Sequence, residues 1–130
     1  MIVLDAGVLI GVLDSRDAHH GAALRLLEDE APPYVVHPLT AAETLVGPAR
    51  TGKEDEVWRD LTAAGVVRAD LGADDQLTLA RLRAAHSLKM PDTCVLATAE
   101  HYATGLATFD RRLAHVADTL GLLHPASPRF

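Results

Sequence analysis

The chain has 130 residues, the size of one domain, and we expect residues 1–130 to fold as a single domain. Hydrophobic residues make up 48% and charged residues 23%, which excludes disorder, and a single cysteine excludes a disulfide framework and a Cys-rich zinc site. The net charge of −6 argues against a protein that coats nucleic acid with a basic face, but not against an enzyme that reaches phosphates through cations held by carboxylates.

The start of the chain gives no sign of a targeting or membrane segment. No positively charged stretch precedes an apolar run, and the apolar residues 1–13 are interrupted by Asp5 and Gly7. That run is also far too short to span a bilayer. We therefore expect no signal peptide, no contact with a membrane and a cytoplasmic location.

Short apolar runs alternate with helical segments along the whole chain. Strands are predicted at residues 2–4, 34–36, 66–67, 105–108 and, at an edge of the sheet, 122–123. Helices are predicted at residues 7–14, 18–29, from 40 onward, 54–64, 74–88, 91–102 and from 110 onward. Because strands that alternate with helices form right-handed crossovers, the pattern predicts an α/β fold with a largely parallel sheet covered on both faces.

Four acidic residues lie where predicted strands end or the next helices begin. Asp5 and Asp110 directly follow strands, whereas Glu43 and Asp92 lie in the first turns of predicted helices. The carboxyl ends of parallel strands and the amino ends of the following helices share one edge of the sheet, where ligands bind. We therefore expect these four carboxylates to converge there.

Each acid also has a purely structural explanation. Asp is a favoured N-cap residue, so Asp5, Asp92 and Asp110 can each serve only to bond the free amides of a first helical turn. Residues 40–43 match a capping box, in which Glu43 bonds back to its cap residue. The sequence alone leaves both explanations open.

Two details favour a shared site. Asp92 follows the same helical spacing as Val95, Leu96 and Ala99, so it lies on the apolar face of its helix, and Asp5 interrupts an apolar run. Carboxylates gathered in one pocket repel each other and need a counter-charge, for which Mg²⁺ or Mn²⁺ suits an all-oxygen site. This arrangement indicates metal-assisted hydrolysis of a phosphodiester.

The residues around these acids resemble a known family. The resemblance rests on residues 1–5 (MIVLD), Glu43, residues 89–93 (KMPDT), the Ala-rich residues 97–99 and residues 106–113 (LATFDRRL). This ordered set resembles a PIN domain. The length and layout of the whole chain resemble the VapC-type ribonuclease toxin of a type II toxin–antitoxin pair.

The resemblance implies a fold, an activity and partners. The fold would be a three-layer α/β/α sandwich with a five-stranded, mostly parallel sheet, and the activity that of a Mg²⁺- or Mn²⁺-dependent endoribonuclease acting on RNA. A homodimer and a cognate antitoxin that blocks the site are implied as well. By position, Asp5 and Asp92 would be the main metal ligands. Glu43 and Asp110 would complete an acidic quartet directly or through water, and Thr108 would orient the pocket.

Other residues near these positions carry weaker signals. Many family members have Ser or Thr directly after the first Asp, whereas Ala6 stands here, which removes a hydroxyl from the pocket. Lys89 and Arg112 lie next to site acids and are candidates for gripping RNA phosphates, with ordinary solvated charges as the alternative. His19 and His20 resemble a feature of the same group, but we expect surface or packing roles for them.

Two other classes of function are compatible with part of the pattern. A phospho-acceptor receiver domain would also be an α/β domain of this size with acids at strand ends. However, only one Asp follows the first strand here, and no acceptor Asp follows an apolar strand in the middle of the chain. A catalytically silent PIN-fold binding module is the third possibility, which the presence of all four acids disfavours.

Overall fold

The computed structural model describes residues 1–130 and contains four strands and seven helices. The strands are β1 (Ile2–Leu4), β2 (Tyr34–Val36), β3 (Val66–Arg68) and β4 (Leu106–Ala107). The helices are α1 (Ala6–Leu13), α2 (His20–Asp29), α3 (Pro38–Ala49), α4 (Glu54–Ala63), α5 (Asp75–His86), α6 (Met90–Tyr102) and α7 (Arg111–Thr119). The order of elements confirms the predicted alternation, and no helix is long and apolar enough to span a membrane.

The sheet has the strand order β3-β2-β1-β4, and every neighbouring pair is parallel. Successive side chains of a strand point to opposite faces, so β1 contributes to two separate cores. Ile2 and Leu4 pack with residues of α1, α2, α3 and α4, whereas Val3 packs on the other face with residues of α6 and α7. The sheet is therefore covered on both faces, and the chain is an α/β/α sandwich of three layers.

The expected fifth strand at residues 122–123 is wrong, because only an isolated parallel bridge joins Leu123 to Leu106. After this bridge the chain turns away at Pro125, and the turn closes with a bond from the Ser127 amide to the His124 carbonyl. The Ser127 hydroxyl then bonds both the amide and the carbonyl of Thr108, at 3.1 and 3.3 Å. One side chain thus takes the place of further strand pairing.

Helix α3 begins at Pro38, two residues before the predicted start at Thr40. The Nδ1 atom of His37 accepts a hydrogen bond of 3.0 Å from the Leu39 amide and acts as the N-cap. Proline is well suited to the position after the cap, because its missing N–H would have no partner there. Glu43 therefore lies in the second turn of α3 rather than in the first.

Candidate active site

Asp5 and Asp110 lie next to each other because their strands are neighbours. Asp5 directly follows β1, Asp110 lies three residues beyond the end of β4, and these two strands are paired in the sheet. Each residue is also an N-cap: Oδ1 of Asp5 accepts a bond from the Ala6 amide at 2.8 Å, and Oδ1 of Asp110 accepts one from the Leu113 amide at 2.9 Å. For these two acids the capping explanation and a shared site are both compatible with the geometry.

Thr108 connects these two acids. Its hydroxyl donates a 2.6 Å hydrogen bond to Oδ2 of Asp5 and accepts a 3.0 Å bond from the amide of Asp110. Because an amide can only donate, the Thr108 hydroxyl must point its proton at Asp5. Thr108 is fully buried and is itself held by Ser127. The orientation of the Asp5 carboxylate is thus fixed from the carboxyl end of β4.

Asp92 enters the site from α6, which packs on the face of the sheet opposite to α1, α2, α3 and α4. It lies in the first turn of α6, where Lys89 occupies the N-cap position, and its carboxylate accepts no hydrogen bond from the protein. Burial, and after it the negative charges of Asp110, Asp5 and Glu43, raise the pKa of Asp92 to about 6, against a lowering by Lys89. Asp92 is therefore not a capping residue, and it lies within electrostatic reach of the other three acids.

Glu43 and Asp5 are also perturbed toward their neutral forms. Burial raises the pKa of Glu43, and the negative charge of Asp5 adds to this effect. Burial also raises the pKa of Asp5, in spite of the opposing hydrogen bonds from Thr108 and Ala6, and the charge of Asp110 raises it further. Asp5, Glu43 and Asp110 thus each raise the pKa of at least one other of the four acids.

The capping-box interpretation of residues 40–43 is wrong. Thr40 lies inside α3, where its hydroxyl is buried without a hydrogen-bond partner, and the cap is His37. Glu43 therefore has no cap residue to reach. Its half-buried position among other acids has no helix-capping explanation.

The donor set suits a hard divalent cation in its chemistry. All four side chains offer carboxylate oxygens, which Mg²⁺ and Mn²⁺ prefer, and the Asp92 carboxylate has no protein donor that would compete with a cation. The structure contains no group of three or more His, Cys, Asp or Glu side chains that could hold a metal ion. The acids are thus close enough to repel each other, but they are not gathered at ligand distance around one point.

The two basic candidates are both exposed, Lys89 at the N-cap of α6 and Arg112 in the first turn of α7. The positive charge of Lys89 lowers the pKa of Asp92, so its ammonium group lies within electrostatic reach of that carboxylate. Arg112 donates a 2.9 Å bond from Nη2 to the Ser87 carbonyl. A cavity of about 660 Å³ lies beside these residues. It is lined by Ser87, Lys89 and, from α5, Arg83. Arg112 is therefore already engaged, whereas Lys89 has no acidic partner within ion-pair distance.

The sequence interpretation missed two contributors to this edge of the sheet. Ser127 lies in the C-terminal tail, where neither periodicity nor a motif singled it out. Phe109 lies between Thr108 and Asp110, and the ring of His19 stacks on it with centroids 4.4 Å apart and an interplanar angle of 12°. The Nδ1 atom of His20 lies 2.7 Å from the Gly11 carbonyl, which is the packing role expected for it.

Comparison with known proteins gives a family and two similar structures. The family model described as PIN domain matches residues 2–119. A chain of a toxin–antitoxin complex from Klebsiella pneumoniae is similar with a TM-score of 0.73 and 24% identity, over 98% of this chain and 96% of that one. VapC20 from Mycobacterium tuberculosis, a sarcin–ricin loop cleaving toxin, is similar with a TM-score of 0.70 and 18% identity, over 89% of this chain and 95% of that one. The comparison with curated proteins gave no match.

Proposed function

The chain belongs to the PIN domain family, and on that premise we propose that it is a Mg²⁺- or Mn²⁺-dependent endoribonuclease, the toxin of a type II toxin–antitoxin pair. PIN-domain nucleases generally use divalent metal ions. The solved structures similar to this chain include a toxin–antitoxin complex and a sarcin–ricin loop cleaving toxin. Because the chain belongs to the PIN domain family, it is not a receiver domain. The remaining alternative is a catalytically silent PIN-fold module.

The single observation that carries the proposal is the electrostatic environment of Asp92. Its pKa of about 6 arises from burial and from Asp110, Asp5 and Glu43, which belong to three other parts of the chain. A cluster of carboxylates with so little compensation destabilises the folded protein unless a cation or protons neutralise it. An arrangement this costly is typical of functional sites.

In this proposal Asp5 and Asp92 are the main ligands of the cation, and Glu43 and Asp110 complete the set directly or through water. A bound divalent cation supplies positive charge to the phosphate, lowers the pKa of water and stabilises the leaving oxygen. Thr108 holds the Asp5 carboxylate in one orientation through its 2.6 Å bond. Glu43 would accept the proton of the attacking water, a role that suits a carboxyl whose pKa is raised by burial and by the charge of Asp5. Lys89 and Arg112 contact phosphates beside the acids.

The test is cleavage of a structured RNA by the purified protein with Mg²⁺ or Mn²⁺, with excess EDTA, and by the Asp92→Asn variant. We expect cleavage only with the cation, and a loss of roughly 100-fold or more in Asp92→Asn, since an electrostatic contact to the reacting groups is removed. Asp60→Asn removes an exposed acid of α4 and is the matched control, expected to cut like the wild type. Undiminished cutting in EDTA or by Asp92→Asn would contradict the proposal.

We also propose an antitoxin as partner, supported by a groove between α1 and α3. This cavity of about 700 Å³ is lined by the exposed apolar residues Ile10, Leu13 and Val46, and by Glu43. An apolar segment of the antitoxin seated there would pass directly beside a site acid and exclude RNA. Val46→Glu is expected to weaken inhibition by the antitoxin without reducing cleavage, and unchanged inhibition would contradict this placement.

A homodimer and a cytoplasmic location complete the proposal. Helix α5 buries none of its residues within its own chain, and Leu77 on this helix is exposed. An apolar surface of this kind suits a second copy of the chain, and light scattering on the purified protein tests the dimer directly. The location follows from the partners, because a toxin that cuts cellular RNA acts where its RNA and its antitoxin are made.

A further inference from the structure

We propose that the stacked rings of His19 and Phe109 form a platform that receives a nucleobase next to the scissile phosphate. The proposal rests on the proposed ribonuclease function and adds to it a subsite for single-stranded RNA. It makes His19 a substrate-binding residue rather than a surface residue of the α1–α2 connection. We call this pair of rings the aromatic platform.

The geometry of the two rings is that of a stack with one free face. The ring centroids lie 4.4 Å apart with the planes inclined by 12°, and Phe109 is half-buried against the core beneath β1 and α2. His19 is exposed, so Phe109 covers one face of the imidazole while the other face lies toward solvent. A flat ring supported from below is a preorganised surface for a further ring.

The backbone around His19 is held in place. The His19 amide donates a 2.8 Å bond to Oδ1 of Asp17, and the His19 carbonyl accepts a 2.8 Å bond from the amide of Ala23 in the first turn of α2. The stack on Phe109 fixes the ring as well. A side chain ordered before the ligand arrives loses little conformational entropy on binding.

The platform lies at the same edge of the sheet as the acids. Phe109 separates Thr108, whose hydroxyl bonds Asp5, from Asp110, the N-cap of α7. The Phe109 ring belongs to the core formed with α1 and α2, whereas Asp92 enters from the opposite layer. A phosphate at the acids would therefore have the platform on the side of α1 and α2, where an adjacent base of the same strand would stack.

The chemistry of the platform suits a nucleobase. Single-stranded RNA is recognised by stacking of unpaired bases on aromatic side chains, including His and Phe. Stacking tolerates different bases and needs no positive charge, which suits a protein with a net charge of −6. Two other large rings do not offer such a face: Tyr34 is buried, with its hydroxyl bonded to the carbonyls of Leu27 and Glu30, and Trp58 packs against the core. The exposed ring of Phe130 has the Arg111 guanidinium over it, 5.3 Å from its centroid.

A structural role, in which the stack only ties the start of α2 to the segment after β4, predicts a different result. The probe is a short single-stranded oligoribonucleotide that contains a mapped cleavage site, with each base beside the scissile phosphate replaced in turn by an abasic residue. The kcat/KM for cleavage in Mg²⁺ is measured for every RNA. The ratio of intact to abasic rate is taken within each variant, so a fraction of unfolded protein lowers both rates and leaves the ratio unchanged.

For the wild type we expect one abasic position to lower kcat/KM about tenfold, the size of one lost base stack, mainly through KM. His19→Ala is expected to cut the intact RNA about tenfold more slowly, with no further loss at that abasic position. His19→Phe keeps the stack and is expected to retain both the rate and the abasic penalty.

His101→Ala is the matched control. His101 is also an exposed histidine in contact with an aromatic ring, with its centroid 4.9 Å from that of Tyr102, but it lies at the end of α6 opposite Asp92. It should behave as the wild type. Two results would contradict the platform without contradicting the nuclease function. One is an abasic penalty that persists in His19→Ala, and the other is a rate of His19→Ala that falls equally for intact and abasic RNAs. Absence of cation-dependent cleavage by the wild type would instead overturn the proposed function, and the platform with it.

Discussion

Among the residues of the site, Asp92 is the acid whose charge the fold tolerates least. Burial and the negative charges of three other carboxylates together raise its pKa to about 6, and no hydrogen bond compensates. A carboxyl whose pKa is higher in the folded than in the unfolded state stabilises the fold at low pH, where it is protonated. That contribution is lost as the pH rises from about 4, the unfolded pKa, through the folded value.

Asp92→Asn is therefore expected to stabilise the metal-free protein at pH 7, and the gain should vanish near pH 4. After allowance for solvent screening of this half-exposed group, the gain is on the order of 1 kcal/mol. Urea unfolding in EDTA at several pH values measures it. A variant less stable than the wild type at pH 7 would mean that Asp92 serves the fold rather than a ligand.

Thr108 makes a second prediction at this scale. Thr108→Val keeps the shape but removes the donor to Asp5 and the acceptor of the Asp110 amide, both half-buried. We expect a loss of about 1–3 kcal/mol of unfolding free energy and a further rise in the pKa of Asp5. Thr108→Ser retains the hydroxyl and should lose less. Equal stability of Thr108→Val and Thr108→Ser in urea unfolding would show that the two hydrogen bonds contribute nothing.

The residue-level interpretation succeeded where an acid adjoins a strand and was incomplete elsewhere. Asp5 and Asp110 were placed at the sheet edge because a short apolar run directly precedes or nearly precedes each of them. Ser127 escaped because its two bonds to Thr108 join residues 19 positions apart, and a lone tail serine leaves no periodic signal. Thr40 and Glu43 have capping-box spacing by coincidence, since the imidazole of His37 caps α3 instead.

At the scale of elements, α5 lies at the surface and packs on α6. None of its residues is buried, and the Nε2 atom of His37 donates a 3.1 Å bond to Oδ2 of Asp75 at its start. The donor assignment follows from Nδ1, which must be unprotonated because it accepts the Leu39 amide. This contact ties the start of α5 to the start of α3, the helix that carries Glu43.

Asp75→Ala is expected to loosen α5 specifically. Removing the partner of a buried imidazole costs about 1–1.5 kcal/mol, so amide hydrogen exchange in α5 should accelerate roughly tenfold while the strands keep their protection. Asp74→Ala is the control, since the neighbouring Asp74 makes no side-chain cap bond. Equal exchange rates in the two variants would show that the His37–Asp75 contact does not stabilise α5.

The helices and strands themselves were largely predictable, and the errors lie at their ends. The first three strands carry apolar or β-branched runs that are distinct from their surroundings, and the structure has them within one residue of the prediction. The ends of α3 and α5 differ by up to two residues because Pro38 and the left-handed Ser87, with φ of 53°, set boundaries that periodicity does not show. The fifth strand predicted at residues 122–123 does not form, because Ser127 bonds the Thr108 backbone there instead. The local sequence pattern does not reveal this tertiary contact.

For the molecule as a whole, cation binding should raise the free energy of unfolding and therefore the Tm. A ligand that binds only the folded state stabilises it by about 2.7 kcal/mol at 100 times its Kd, which for a chain of this size raises Tm by several degrees. Mn²⁺ is therefore expected to raise the Tm of the wild type and to have much less effect on Asp92→Asn. No rise with Mn²⁺ in the wild type is the result that a catalytically silent module predicts.

The central claim is that four carboxylates from separate parts of the chain share one divalent cation. A crystal structure of the protein grown with Mn²⁺, with anomalous scattering recorded at the manganese edge, tests it most directly. The account predicts a manganese peak at the carboxyl edge of β1 and β4, with oxygens of Asp5 and Asp92 among its ligands and Glu43 and Asp110 bound directly or through water. Carboxylates that point apart, with no anomalous peak between them, would contradict it.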